Sequence, residues 1–398
     1  MNLRARFLEL QTLLAEHEEI WRPAPFHSVS PRWRDHRPAL ATALEALDDE
    51  AVKRFGLDPE ACADWLAAYL PALGMVNKLS EVPALPARSL PASRAREDDG
   101  MPGRKRAQVE AFVRHIPATV TPALEWCAGK GHLGRKVALT DQVPVVSLEL
   151  NPALCADAKS LATRKGVDQE ILCADALTAS GHEHVRGRTV FALHACGELH
   201  RSLVRNAHTD GAEAYRISPC CYHLGSEDPY QPLSSDASLM LDASALRLAV
   251  TELVTAPERD RTRLARDQAW KLGFIALRTE VEGETRRPFR PVPAAWFDGS
   301  FDDFCRRLAI REHVRLPANP AWADWEHVGW KRRDEVLRLE LVRHAFRRGL
   351  ELWLVLDLAL GLGERGFDVV LGRFCERSLT PRNLLVIGQR RPDSRTAA

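Results

Sequence analysis

From Ala123 onward the chain repeats one pattern, a short apolar run followed by a helical segment. The runs are Ala123–Ala128, Val143–Leu150, Gln169–Ala174, Val190–Cys196 and Ala214–Cys221, and Phe367–Leu371 and Asn383–Gly388 close the series. Strands alternating with helices pack as a parallel sheet covered on both faces. The last two runs have no helix between them. The pattern therefore predicts an α/β fold, a Rossmann-like seven-stranded sheet whose last strand pair is antiparallel.

Around this core the sequence divides into five parts. Residues 1–79 read as an N-terminal helical domain, with Leu8, Leu10, Leu13 and Leu14 at helical spacing and Asp58-Pro59-Glu60 as a cap and first turn. Residues 80–103, rich in Pro, Ala, Ser and charge, read as a linker. Residues 104–224 form the first part of the core, 225–335 a largely helical insertion, and 336–391 the last helix and strand pair, the helix predicted as one element over Asp334–Leu362.

Composition excludes more than it assigns. A net charge of +1 from 55 basic and 54 acidic residues gives no global case for nucleic acid or an acidic membrane. Nine cysteines, an odd and scattered set, read as reduced thiols of a cytoplasmic protein. The most apolar stretch, Leu350–Leu362, is interrupted by Glu351 and Asp357 and is too short to span a bilayer. No protein partner is evident.

The sharpest motif is Glu125-Trp126-Cys127-Ala128-Gly129-Lys130-Gly131-His132-Leu133-Gly134, between a strand and a helix. Glycines there let a ligand approach the backbone, and the helix start offers unpaired N–H groups. The same spacing satisfies a dinucleotide fingerprint, and Glu149 lies where an NAD-dependent oxidoreductase holds its ribose carboxylate. Three features favour S-adenosylmethionine instead. Glu125 at the end of the first strand would repel a pyrophosphate and suits a cationic methionine end. Asp175 after the third strand suits an adenine amino group. The domain closes on a strand pair and feeds no second catalytic domain. Each acid alone also reads as a helix cap.

Two further motifs end neighbouring strands: His194-Ala195-Cys196-Gly197-Glu198-Leu199 and Ser218-Pro219-Cys220-Cys221-Tyr222-His223. His223, His194 and Cys196 are the candidate catalytic residues, since an imidazole titrates near working pH. Cys196 and Cys220 equally suit small buried core positions. Adjacent Cys220 and Cys221 in a strand point to opposite faces and no C-x-x-C spacing occurs, so no metal site is expected.

On Gly129–Leu133, His194–Leu199 and Cys220–Tyr222 the chain resembles a methyltransferase-like family that includes the glutathione S-transferase C-terminal domain-containing protein. The blocks are also similar to those of tRNA 2′-O-methyltransferases acting on the acceptor stem. The resemblance covers about residues 101–225, with a fainter echo at Leu379–Asn383. It implies a class I methyltransferase fold and S-adenosyl-L-methionine bound through Gly129, Lys130, Gly131, Glu149 and Asp175, with Lys105 touching cofactor or substrate. Cys127-Ala128, Gly134 and Glu149 depart from commoner residues without removing a needed charge. A CCCH-type zinc finger is not seen in residues 1–100.

The substrate is read less directly. His194-Ala195-Cys196-Gly197 is not the Asn/Asp-Pro-Pro-Tyr/Phe run of many amine methyltransferases, which argues against base-flipping amine chemistry. That leaves an RNA hydroxyl (tRNA by the resemblance), a protein side chain or a small molecule, with RNA preferred. Basic and aromatic residues interleave at Pro31–Arg37, Lys331–Arg333 and Arg343–Arg348, as phosphate-tracking grooves require. Salt-paired helix surface explains the last cluster as well.

Overall fold

The computed structural model describes residues 2–27, 30–91, 101–251, 258–283 and 290–392. The chain forms two compact units: Met1–Ala15, Lys78–Thr251 and Arg348–Ala398 make the first, Glu16–Asn77 and Glu252–Arg347 the second.

The first unit is built on a seven-stranded sheet: β1 (Ala123–Glu125), β2 (Val145–Glu149), β3 (Gln169–Cys173), β4 (Thr189–Cys196), β5 (Ala214–Cys220), β6 (Phe367–Arg373) and β7 (Leu384–Arg390). Their order is β3-β2-β1-β4-β5-β7-β6. The first five are parallel, and β7 runs antiparallel to both β5 and β6. Strand order reverses between β1 and β4, and in such sheets ligands bind outside the carboxyl ends of the strands at that reversal.

Helices cover the sheet for local reasons. Asn151 caps the helix Pro152–Lys165 by accepting from Ala153 N at 2.9 Å, Pro152 starts it, and left-handed Gly166 ends it. Val109, Phe112 and Val113 of the helix Gly103–His115 pack with Leu133, Val137, Phe191 and Leu385. Each such buried side chain contributes roughly 1.5–3 kcal/mol.

The units divide the chain differently from composition. The helix Leu3–Glu16 contributes to the first unit, where Phe7 stacks on Trp353 at 5.2 Å and Arg4 pairs with Asp236 at 2.7 Å. Of the predicted linker, residues 92–100 lie outside the described residues. The preceding stretch is docked: Val82 and Leu85 are buried, Ala84 bridges Arg373, and Arg88 makes a two-pronged pair with Asp141 at 2.6 and 3.0 Å. Residues just after β5 also stay with the sheet, because Asp357 accepts from Tyr230 Oη at 2.8 Å and from Ser234 N at 2.9 Å. Polar composition marked a boundary at 80–103, but these side chains have specific partners.

The single helix predicted over Asp334–Leu362 is two, Trp322–Ala345 and Arg347–Glu364. Phe346 breaks the ladder with φ −84° and ψ −9°, its N–H bonding Arg343 O, so the turn tightens without a proline. In the second unit Trp270, Phe274, Phe301 and Phe304 form the core. Gly273 and Gly329 let the helices Glu258–Glu282 and Trp322–Ala345 touch along their backbones; a Cβ at Gly273 would sit 2.7 Å from Trp325 O. No described helix is long and apolar enough to cross a membrane.

Candidate active site

The loop after β1 is held from beneath by a buried polar network. Glu125 is 4% exposed; Oε1 accepts from Leu133 N at 3.2 Å and Oε2 from Ser147 Oγ at 2.8 Å. Gln169 Nε2 donates to Ser147 Oγ and to Gly131 O, both at 2.9 Å, and Arg135 donates to Gln169 Oε1 at 3.2 Å. Burial raises the Glu125 carboxyl, while Ser147, the nearby backbone and the cations Arg135 and Lys105 oppose the rise. Gly134 must be glycine here, since a Cβ would fall 2.6 Å from Glu125 Oε2. Ser147, Gln169 and Arg135 were missed in the sequence. The readable signal was a serine inside the otherwise apolar run Val145-Val146-Ser147-Leu148.

The upper side of the loop is different. Cys127, Gly129 and Gly131 are all left-handed, at φ 57°, 58° and 67°. A Cβ at Gly129 would meet nothing within 4 Å, so the backbone there faces open space. Glu149 at the end of β2 accepts from Gly129 N at 2.7 Å and Asn151 N at 2.9 Å, while Asp175 beyond β3 accepts from Leu177 N at 2.9 Å. The Lys130 side chain turns away to Asp157 at 2.8 Å, leaving its backbone to the loop.

Lys105, in the first turn of the helix Gly103–His115, is half-buried and makes no hydrogen bond among the described residues. Burial lowers its ammonium, and Glu125 and Cys220 pull it back up. Its charge is felt by both His132 and His194. Burial first, then neighbouring cations, take each imidazole down to about 4, so both are neutral at pH 7. Neutral His132 Nδ1 accepts from Arg135 at 2.9 Å.

At β4 and β5 the strands are irregular. Leu193 pairs with Ser218, but Cys196 pairs with Cys220, so His194 and Ala195 together oppose only Pro219. Pro219 has no N–H to give the ladder, which is where a bulge is tolerated. His194 takes φ 61° and Cys221 φ 46°. The alternation that placed Cys220 and Cys221 on opposite faces is therefore overturned, because Cys221 has left strand geometry. The Cys196, Cys220 and Cys221 sulfurs lie within 4.8 Å of one another. Hydrogen bonding to Cys220 pulls the Cys221 thiol down to about 5 and lowers that of Cys196, while Cys220 is raised. His223 Nδ1 is buried with no hydrogen-bond partner among the described residues.

These ends are clamped. Gly197, with φ 53° and ψ −117°, donates to Cys220 O at 3.0 Å, and Glu198 N donates to Leu224 O at 2.8 Å. A Cβ at Gly197 would overlap Leu224 O. Arg382, just before β7, also shapes the site. It donates to Glu351 at 3.0 Å and Ala249 O at 3.2 Å, and its charge reaches His194 and Cys221. The faint echo at Leu379–Asn383 was its only sequence signal.

Residues 104–228 match the methyltransferase domain family. No protein of curated function matches the chain in sequence. The sheet agrees with the match: an antiparallel β7 between β5 and β6 is the class I methyltransferase arrangement and departs from the 3-2-1-4-5-6 order of dinucleotide-binding sheets. The matched stretch thus contains the glycine loop, the three acids at or just after the ends of β1, β2 and β3, and the Cys/His cluster. The finer likeness to particular members rests on the three motif blocks alone.

The basic clusters of the second unit are largely engaged. Arg34 pairs with Glu45, and Trp33 is buried. Arg332 donates to Glu335 at 2.8 Å and to Pro25 O at 3.0 Å, and Arg343 pairs with Glu340 at 3.2 Å and donates to Trp21 O at 3.0 Å. Arg348, in the first unit, pairs with Glu351 at 2.6 Å.

Proposed function

We propose that the protein transfers the methyl group of S-adenosyl-L-methionine to an RNA hydroxyl in an intracellular, cytoplasmic setting. One observation carries the cofactor assignment: a left-handed loop, open above Gly129, flanked by carboxylates at the ends of β2 and β3. A nucleoside fits that donor set. Glu149 holds the ribose hydroxyls, Asp175 accepts from the adenine amino group, and the backbone at Gly129, Lys130 and Gly131 follows the ligand. Glu125 would act through the loop it braces, by its bonds to Leu133 N and Ser147 Oγ. When bound, the cofactor supplies a methyl group on a sulfonium, an electrophile that needs no further activation.

On the acceptor side, His223 accepts the hydroxyl proton in this reading. His194, a weak base with its pKa near 4, orients the acceptor as a neutral ring. For RNA, support comes from the motif resemblance and from the helix Gly103–His115. Its first turn carries Arg104, Lys105 and Arg106 and no acid, and its N-cap Pro102 makes no side-chain cap bond. Cations at a helix N-terminus oppose the dipole, so they weaken the helix while making an anion-attracting end. Phosphates are therefore met there and not at the neutralised clusters of the second unit.

Calorimetric titration with S-adenosylmethionine, S-adenosylhomocysteine and NAD tests the first step. Micromolar binding of the first two without NAD supports it, whereas NAD binding alone overturns it. Labelled methyl transferred to a ribonuclease-sensitive fraction supports RNA. Label retained only in protein or small molecules would reassign the acceptor.

A further inference from the structure

The three cysteines at the ends of β4 and β5 meet only because two separate distortions bring them together. Without the extra residue at His194–Ala195, the register set by Leu193 and Ser218 would place Cys196 opposite Cys221. Without left-handed backbone at Cys221, its side chain would leave on the face opposite Cys220. Positive φ is uncommon for residues other than glycine, and this short stretch has it at both His194 and Cys221. A core that merely needed small apolar fillers would not require either. The Sγ atoms lie within 4.8 Å of one another, Cys196 and Cys220 at 3.3 Å. A tetrahedral zinc ion with bonds of about 2.3 Å sets its sulfurs about 3.8 Å apart, within that spread.

Charge fits as well. A dication held by three thiolates is a single net negative charge, and Lys105 and Arg382 act on Cys220 and Cys221 from nearby. The clamp of Gly197 N on Cys220 O at 3.0 Å fixes the donors from behind.

We propose that Cys196, Cys220 and Cys221 bind one zinc ion through three thiolates, leaving its fourth position to an exchangeable ligand. The ion displaces three thiol protons to solvent and no electron is transferred. Open three-ligand sites are the form zinc takes where a fourth ligand exchanges. The inference does not depend on the methyl-transfer reading.

The test uses the full chain, stripped with chelator under reducing conditions and titrated with zinc against a chromophoric chelator, then with cobalt(II). The expected result is about one equivalent of tightly bound zinc and, for cobalt, thiolate charge-transfer absorption with tetrahedral d–d bands. Cys196→Ser, Cys220→Ser and Cys221→Ser should each lower zinc affinity at least tenfold, whereas Cys127→Ser and Cys62→Ser should not. Circular dichroism and thermal unfolding show whether each variant is folded. Failure of folded wild-type protein to take up zinc overturns the proposal, as does cobalt absorption that survives all three substitutions. If the serine variants do not fold, the wild-type titration and cobalt spectrum decide.

Discussion

The two halves of the candidate site are made in opposite ways. At β1–β3 the strands are regular, the left-handed positions include two glycines, and each acid accepts from a backbone N–H. At β4–β5 the ladder carries a bulge, the left-handed positions include His194 and Cys221, and His223 Nδ1 has no hydrogen-bond partner among the described residues. The first half is a regular, hydrogen-bonded cradle with open space above Gly129. The second concentrates backbone strain and unmet polarity, the features that collect where chemistry is done. Binding and transfer should therefore be separable by substitution.

Gly197→Ala is the strongest way to separate them. Its φ 53°, ψ −117° backbone suits glycine alone, and the added Cβ would overlap Leu224 O. We expect transfer to fall at least ~100-fold, as for a site displaced from its working geometry, with a stability loss of about 3 kcal/mol besides. Cofactor affinity, measured by calorimetry on the folded fraction, should change little. Equal loss of both would show that the halves are one unit.

His223→Ala makes the same cut more gently. Loss of a general base should lower kcat about 100-fold or more with cofactor affinity kept. Its complement is Glu149→Gln, which removes the charge that holds Gly129 N and faces the ribose position. Cofactor Kd should rise about 10- to 100-fold, read by calorimetry, with kcat at saturating cofactor nearly unchanged. If Glu149→Gln lowers kcat and leaves Kd alone, the cradle has been assigned to the wrong half.

The same contrast governs what the sequence disclosed. All seven strands follow from apolar runs, though their order β3-β2-β1-β4-β5-β7-β6 does not, and Glu125, Gly129, Gly131, Glu149 and Asp175 stand out by residue type beside strand ends. Period-two reasoning then failed at Cys220-Cys221, because a proline in β5 and a bulge in β4 are tertiary events that alternation does not register. Ser147 and Gln169 were passed over because buried polar partners are chosen across strands, not along them. The joining of residues 16–77 to 252–347 was hidden for a related reason: it rests on long-range contacts such as Arg332 to Pro25 O and Arg343 to Trp21 O, which leave no pattern along the chain.

Acid should produce the smallest effect. Burial holds His132, His194 and His200 at about 4 in the folded chain, against about 6.5 when unfolded. Between those values the unfolded chain binds more protons, so stability rises with pH across this window and is lost as pH falls from about 6.5 toward 4. Two of the three rings belong to the β4–β5 half, and His200 Nδ1 bonds Ala195 O at 2.7 Å inside its bulge. Thermal unfolding temperature should therefore be flat from pH 8 to about 6.5 and drop below it by a few degrees per unit. His200→Asn keeps a side-chain donor for that bond without titrating, so it should flatten the drop. A curve unchanged by His200→Asn would remove His200 from the acid-sensitive set and leave His194, in the same half, and His132 to carry the drop.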